Sequence, residues 1–186
     1  MPCRPRPGQV KRYLYNSLTA YLTGLVLEAA AGEPVDRYAD QHLFRPLGIM
    51  RWRWRHDAAG RTTTQGNLEL TVRDFARIGE MVRHGGAWRG RRIVSADWLR
   101  DSLRLHVSIG SVDRYADGYG YFWYAKRHEV GAAHVDVSFA SGNGGNKIYI
   151  VPARRMVVAI QSSAYGRGYG QRRSEQILLR ILETTK

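Results

Sequence analysis

Two short stretches of the sequence carry groups that could do chemistry. The first is Tyr15-Asn16-Ser17, which places a phenol and a hydroxyl two residues apart, immediately before an apolar stretch. A phenol whose pKa is drawn below its ordinary value of about 10 by nearby cations can exchange protons, and a serine hydroxyl can hold or relay a hydrogen bond. Serine is also a common helix cap, so a purely structural role for Ser17 stays open at this point.

The second stretch is glycine-rich and reads Ser-Gly-Asn-Gly-Gly-Asn over residues 141–146. Because glycine has no Cβ, the backbone at Gly144 and Gly145 could approach a ligand closely. The amide of Asn143 can hydrogen-bond a carboxylate or a carbonyl, but it cannot neutralise a charge. A tight turn between two strands would explain the glycines equally well.

A helix is predicted within residues 13–32, and its start lies at the first stretch. Its apolar residues recur at the i, i+3, i+4, i+7 spacing of a helix with one buried face. Asn16 or Ser17 can cap its start, and Gly32 can end it. The helix therefore holds Tyr15 at a corner between a loop and a helix, where polar groups can face a cleft.

Further helices are predicted on both sides of a run of strands. One begins at Pro34 and ends near Phe44, and another begins at Thr71, which is a good cap with Asp74 three residues on. Strands are predicted over residues 118–124, 135–140, 147–151 and 156–160, the last two forming a hairpin, and a closing helix follows over residues 171–182. This order predicts an α+β fold in which an antiparallel β-sheet is flanked by helices.

Arginine and tryptophan alternate strictly over residues 51–55. In a strand this pattern puts the two tryptophan rings on one face and the three arginines on the other. Interleaved rings and cations could bind nucleic-acid phosphates and bases. The pattern is more typical of an amphipathic strand with its rings in the core and its charges in water.

Several of these motifs together resemble the penicillin-recognising serine hydrolases, most closely the class C β-lactamase-like esterases and the relatives of 6-aminohexanoate-dimer hydrolase. The resemblance rests on Pro7-Gly8, on Tyr15-x-Ser17, and on segments 43–49, 66–103 and 139–152. It implies a β-lactamase/transpeptidase-like fold and acyl transfer through a serine ester, with no cofactor.

The resemblance also implies roles for single residues. Tyr15 and Ser17 would belong to the catalytic site, and Asn143, Gly144 and Gly145 would bind the substrate. Asn143 stands where the family carries a lysine or histidine cation. We therefore expect a neutral small-molecule ester or amide substrate rather than a carboxylate-bearing one.

The family's nucleophile lies in a Ser-x-x-Lys turn, and no serine of this chain has a lysine three positions later. The nearest approach is Ser111 followed by Arg114, and arginine stays protonated and cannot act as a base. We therefore expect residues 13–186 to be the C-terminal part of an incomplete hydrolase domain, after an extended lead-in over residues 1–12. Such a truncated chain would be inactive alone, would pair with its missing N-terminal half, and would expose apolar surface on the helices that contain Leu18 and Phe75.

Two other functions compete with this one. The net charge of +13 favours a nucleic-acid binder, but the 25 arginines and 4 lysines are spread along the whole chain without a recognised binding motif. A non-catalytic pseudoenzyme scaffold would keep the fold for a partner. We rank nucleic-acid binding well below the hydrolase interpretation.

Composition narrows the remaining possibilities. The single cysteine, Cys3, excludes an internal disulfide, and the histidines show no metal-ligand spacing. Nowhere do about 18 apolar residues run together, so no membrane span is predicted, and no signal peptide is visible. The cellular compartment is left undetermined.

Overall fold

The computed structural model describes residues 13–185, so the predicted lead-in over residues 1–12 lies outside the described residues. Helices account for much of the chain, and each is preceded or followed by turns that the sequence marks with glycine, proline or a capping side chain. The α-helices are α1 (Ser17–Ala31), α2 (Val35–Ala39), α3 (Val72–Arg83), α4 (Ala96–Leu103) and α5 (Tyr169–Thr184).

Helix α1 begins as predicted, and Asn16 rather than Ser17 caps it. The Asn16 side chain accepts a hydrogen bond from the backbone N–H of Leu18 at 2.8 Å. Gly32 ends the helix in the left-handed conformation, with φ of 72°. The two predicted end signals are therefore both used.

The apolar face of α1 is exposed rather than buried. Only Gly24 of this helix is buried. Three apolar side chains of the helix, spaced four residues apart, and Leu14 just before it face outward, with exposed fractions between 50% and 85%. We call this set the α1 stripe; it consists of Leu14, Leu18, Leu22 and Val26.

The helix predicted to run from Pro34 to Phe44 changes type along its length. It starts as α2 and continues as a π-helical turn over Asp40–Phe44, in which the backbone N–H of Arg45 reaches back five residues to the carbonyl of Asp40 at 2.9 Å. This wider turn brings Phe44 into the core, where it is 1% exposed.

Two small two-stranded sheets lie beside these helices, and most of their strands were not predicted. One pairs β1 (Arg53–Trp54) with β2 (Leu68–Glu69), and the other pairs β3 (Ala87–Trp88) with β4 (Arg91–Arg92). In the first, Trp52 and Trp54 turn inward, with ring centroids 5.4 and 6.3 Å from that of Phe44. Only Arg53 and Trp54 of the alternating stretch are in a strand, but both rings are half-buried and pack against the core as predicted, so they are not presented for stacking on nucleic-acid bases.

The main sheet has six antiparallel strands in the order β10-β9-β8-β7-β6-β5. Its strands follow one another along the chain, which confirms the predicted antiparallel sheet and the hairpin between the last two. The strand predicted over residues 118–124 is wrong, because the chain leaves the strand conformation at residues 120–123, where Phe122 has a positive φ of 62°. One margin is formed by the five-residue β10 and the other by the two-residue β5. The strands are β5 (Val107–Ser108), β6 (Gly118–Tyr119), β7 (Tyr124–Val130), β8 (Ala133–Gly142), β9 (Asn146–Val151) and β10 (Met156–Ile160).

Helices cover both faces of this sheet, because side chains alternate along each strand. Ile148 and Ile150 of β9 point to the face on which α3 lies, and there they share a core with Met81 and Val82. The helix that contains Phe75 is therefore largely covered, with Phe75 itself half-buried, so the expected exposed apolar surface is found mainly on α1.

The opposite face of the sheet packs against α5. Phe139, Tyr149 and Val151 share that core with Leu178 and Leu182, all of them at most 2% exposed. An antiparallel sheet between α3 and α5 is the predicted α+β arrangement. None of the helices in residues 13–185 has the length and apolarity needed to cross a bilayer.

Candidate active site

The residues of the Tyr15-x-Ser17 motif lie at the entrance to α1. Ser17 is the first residue of that helix and is exposed, and Tyr15 precedes the capping residue and is 47% exposed. The motif therefore stands at the predicted corner between loop and helix, where its side chains face solvent.

Tyr15 belongs to a group of phenols that we call the tyrosine cluster. The Tyr13 and Tyr124 hydroxyls are hydrogen-bonded at 3.0 Å, and the Tyr119 ring lies about 5 Å from both neighbouring rings. Electrostatic repulsion from Tyr15 reaches Tyr13, Tyr119 and Tyr124. The cluster consists of Tyr13, Tyr15, Tyr119 and Tyr124.

Burial, more than any other factor, raises the pKa of the other three phenols in the tyrosine cluster. It raises the pKa of Tyr119 to about 12, and the charges that Tyr13 and Tyr15 would carry add to the effect. Burial followed by the hydrogen bond to Tyr13 raises the pKa of Tyr124 further. The neighbours of Tyr15 in the cluster are therefore neutral phenols at pH 7. They supply no positive charge that would lower the pKa of a phenol.

One member of the tyrosine cluster contacts the strand that ends at the glycine-rich turn. Tyr124 pairs with Phe139 across β7 and β8, and their rings are stacked with centroids 5.3 Å apart. Phe139 and Ser141 are two residues apart in β8, so their side chains emerge on the same face. Tyr13 and Tyr124 thus share the α5-facing side of the sheet with the end of β8, where the turn begins.

The glycine-rich stretch forms the tight turn between β8 and β9, a 3-10 turn over Asn143–Gly145. Gly144 and Gly145 have positive φ angles of 77° and 91° and are buried, whereas Asn143 is exposed. A Cβ on Gly145 would overlap the carbonyl of Gly170 and come within 2.8 Å of the Ser174 hydroxyl. Close packing of the turn on α5 therefore accounts for this glycine, and Asn143 is the predicted binding residue whose side chain faces solvent.

Sequence reasoning missed a polar network directly beside this turn. Lys147, only 2% exposed, donates a hydrogen bond from Nζ to Ser141 Oγ at 2.8 Å. Ser141 Oγ lies 3.3 Å from Gln171 Oε1 and donates to it, and Gln171 Nε2 donates to the carbonyl of Gly142 at 2.8 Å. We call these three side chains the Ser141 network; it consists of Ser141, Lys147 and Gln171.

The amine of Lys147 lies in apolar surroundings. Its Nζ is 4.4 Å from the centroid of the Phe139 ring and 5.9 Å from that of Tyr149. Burial lowers the pKa of Lys147 from 10.5 to about 8, and attraction from Asp113 and Glu175 opposes the effect only in part. A basic amine therefore lies next to the turn, although Asn143 itself stands where the resemblance would place a lysine or histidine.

The sequence did contain a signal for this pair. A hairpin centred on Gly144 pairs residues equally distant from it, and the observed register does pair Ser141 with Lys147. Lys147 also opens a strand whose remaining residues, 148–151, are apolar or aromatic. Among residues 13–185, no group of three or more histidine, cysteine, aspartate or glutamate side chains could hold a metal ion.

Fold and sequence together define the family to which this chain belongs. A sequence profile of the β-lactamase family matches residues 2–181. The chain therefore belongs to the β-lactamase family, which confirms the resemblance seen in its motifs.

Solved structures of related proteins share this fold. One, from Bacillus anthracis and provisionally named a 6-aminohexanoate-dimer hydrolase, superposes with a TM-score of 0.75 at 20% identity and covers 96% of this chain. Another, an octameric penicillin-binding protein homologue from Pyrococcus abyssi, superposes with a TM-score of 0.69 at 22% identity and covers 91% of this chain. This chain spans 45% and 43% of the lengths of those two proteins, which is less than half of each.

A shorter match links the chain to a protein of Escherichia coli strain K12 provisionally named a D-alanyl-D-alanine carboxypeptidase. The two are 33% identical over 48 residues, which is 26% of this chain and 11% of that protein.

Proposed function

We propose that this chain is the C-terminal portion of a β-lactamase-related serine hydrolase and completes an acyl-transfer site when the N-terminal portion of the domain is present. The observation that carries the proposal is the family match over residues 2–181, in a chain that spans less than half of the structures it superposes on. The α1 stripe supports it, because an apolar surface of this kind is what a partner portion would cover.

In this proposal the N-terminal portion contributes the nucleophilic serine and its lysine. That lysine also supplies the cation that the tyrosine cluster lacks, and its charge draws Tyr15 into the proton-transfer network. Ser17 holds a hydrogen bond at the same corner. Asn143 donates its amide to a carbonyl of the substrate, and the backbone of Gly144 and Gly145 shapes the sheet edge beside it.

The proposed substrate is a small, neutral ester or amide. The Asn143 amide donates a hydrogen bond but carries no charge, so it favours binding of a neutral carbonyl over binding of a carboxylate. Lys147 does not change this expectation, because its amine is buried beneath the turn rather than exposed beside Asn143.

The test is complementation. The chain is produced together with the N-terminal portion of a family member that carries Ser-x-x-Lys, and turnover of nitrocefin and p-nitrophenyl esters is measured. We expect turnover from the pair and none above the buffer blank from the chain alone. Turnover by the chain alone that is lost in Ser17→Ala, with labelling of Ser17 by a fluorophosphonate, would instead make Ser17 the nucleophile.

A single substitution tests the role of the phenol in the complemented enzyme. Tyr15→Phe should lower turnover by about 100-fold or more, because general acid–base groups contribute factors of that size. Tyr38→Phe is the matched control, since Tyr38 lies in α2, where its ring is 4.4 Å from that of His42, and it is not part of the tyrosine cluster. Equal turnover in Tyr15→Phe and in the control would remove Tyr15 from the mechanism.

A further inference from the structure

The Ser141 network contains a serine and a lysine in direct contact, in an arrangement that differs from Ser-x-x-Lys. Ser141 and Lys147 stand opposite each other on neighbouring strands, β8 and β9, rather than one turn apart on a helix. The 2.8 Å between Lys147 Nζ and Ser141 Oγ is a distance over which a proton can pass. Ser141 is half-buried and lies two residues before the turn, whereas Lys147 is buried.

The surroundings of Lys147 favour the neutral amine. A lysine buried to 2% exposure with aromatic rings around its Nζ loses most of the solvation that stabilises an ammonium ion. Lysines in such sites act as general bases, because the neutral amine has a lone pair to accept a proton. The lowered pKa of Lys147 agrees with this environment.

From this geometry we propose that Ser141 and Lys147 form a second serine–lysine pair, in which Ser141 accepts an acyl group from small activated esters. The pair lies wholly within this chain and does not rest on the proposed function. The rings of Phe139 and Tyr149 lie beside the amine and offer no charge, so we expect a short uncharged acyl group such as acetyl to be transferred in preference to a charged one.

The step balances without a co-reactant. Ser141 Oγ attacks the carbonyl carbon of an aryl ester, and its proton passes to the neutral Nζ of Lys147. The tetrahedral intermediate collapses as the carbon–oxygen bond to the aryl group breaks, and the phenolate leaves as an anion. The products are an acyl ester on Ser141, an ammonium on Lys147 and the free phenolate. The Ser141 proton points to Gln171 Oε1 while Lys147 donates to Ser141 Oγ, and the hydroxyl turns to Nζ once that amine has lost its own proton and can accept.

The experiment uses the whole chain and p-nitrophenyl acetate. Release of p-nitrophenolate is followed from the first seconds, and the modified protein is digested and sequenced by mass spectrometry. We expect a burst of phenolate equal to the amount of protein, without sustained turnover, and one acetyl group located on Ser141. The burst rate should rise with pH and reach half of its maximum at about pH 8, as Lys147 loses its proton.

Three variants separate the pair from general reactivity. Ser141→Ala should abolish the burst. Lys147→Met should slow it by about 100-fold or more, since the general base is gone, and Lys147→Arg should do the same because arginine stays protonated. Ser138→Ala is the matched control, a half-buried serine of the same strand whose side chain points to the other face, and it should leave the burst unchanged.

The site of the acetyl group decides the outcome even if a variant fails to fold. Acetyl on Ser141, with a rate that follows one deprotonation near pH 8, supports the pair. Acetyl on the Lys147 amine, acetyl on Ser17 or another residue, or no adduct at all overturns it. Acetyl on Ser17 would oppose the proposed function as well, whereas the other results leave complementation to be tested separately.

Discussion

Lys147 places an ionisable amine where water hardly reaches, and this has a consequence for stability. The pKa of its amine is about 8 in the folded chain and 10.5 as the ordinary value. Between these two values the unfolded chain binds more protons than the folded chain, so the free energy of unfolding rises with pH across this window. Below pH 8 the full penalty of burying the ammonium is present, and it amounts to about 3 kcal/mol.

The first prediction is therefore that the protein becomes more stable between pH 7.5 and pH 9.5. Urea unfolding at a series of pH values measures this, and Lys147→Met should remove the slope because methionine does not titrate. Above about pH 10 the trend should reverse, since burial raises the pKa values of Tyr119 and Tyr124 and only the unfolded chain then loses those protons. A Lys147→Met variant that keeps the slope would assign it to another group.

Gly145 gives the second prediction, which concerns the turn. Gly145→Ala should destabilise the fold by about 2 kcal/mol or more, because its Cβ would be strained by the positive φ and would also clash with α5. Gly131→Ala is the matched control, with a positive φ of 60° and nothing within 4 Å of the added Cβ, and it should lose only about 1 kcal/mol. Equal losses would show that the turn can move away from α5.

At the scale of residues, the sequence indicated the groups that stand at corners and turns. Tyr15, Ser17 and Asn143 were found because loop entrances and glycine-rich turns have recognisable local patterns. Lys147 was missed because its burial depends on α5, which lies more than 20 residues further along the chain. Burial by a distant element has no local signature.

Helix α3 carries a prediction at the scale of elements. The Thr71 hydroxyl accepts the backbone N–H of Asp74 at 3.1 Å and donates to its carboxylate at 2.7 Å. Thr71→Ala should lower the free energy of unfolding by about 1 kcal/mol, as the loss of a helix cap does. Thr71→Ser keeps the hydroxyl and should restore most of the stability in the same urea titration; a serine variant as unstable as alanine would point to packing instead.

Helix α1 carries another prediction. Leu18→Lys together with Leu22→Lys should leave the free energy of unfolding within about 0.5 kcal/mol of the parent, because both side chains are at least half exposed. The same pair should reduce self-association in size-exclusion chromatography and binding of the dye ANS, since it breaks the α1 stripe. Loss of the folded state in this variant would mean that the stripe is covered within the chain itself.

At this scale the sequence predicted most of the long elements, but it missed α4 and all of β7 except Tyr124, and it missed most of the two-residue strands. The cap and stop of α1, the start of α3 and the β9–β10 hairpin have strong local signals, and all three are present. The strands β2, β3 and β4 have two residues each, too few for any alternation to show. The π-helical turn before Arg45 was invisible because it fits the same apolar spacing as an α-helix.

The whole molecule carries a net charge of +13, and its arginines bear on the nucleic-acid alternative. Several exposed arginines are paired with carboxylates, such as Arg127 with Asp136 at 2.7 Å and Arg45 with Asp40 at 2.6 Å. We predict that any retardation of a short duplex in a gel at low salt disappears by ~0.15 M salt, because scattered charges alone give weak, strongly screened binding. A complex that survives at that salt concentration would favour a genuine nucleic-acid site.

The two edge strands of the main sheet differ in length, so the sheet can be extended by a further strand at one edge more readily than at the other. At β5 only two residues could pair with an added strand. Strand β10 offers the backbone groups of five residues, which include two valines and an isoleucine. Any extended peptide that docks on this protein through backbone pairing would therefore add beside β10, next to α3, and lengthen the sheet on that side alone.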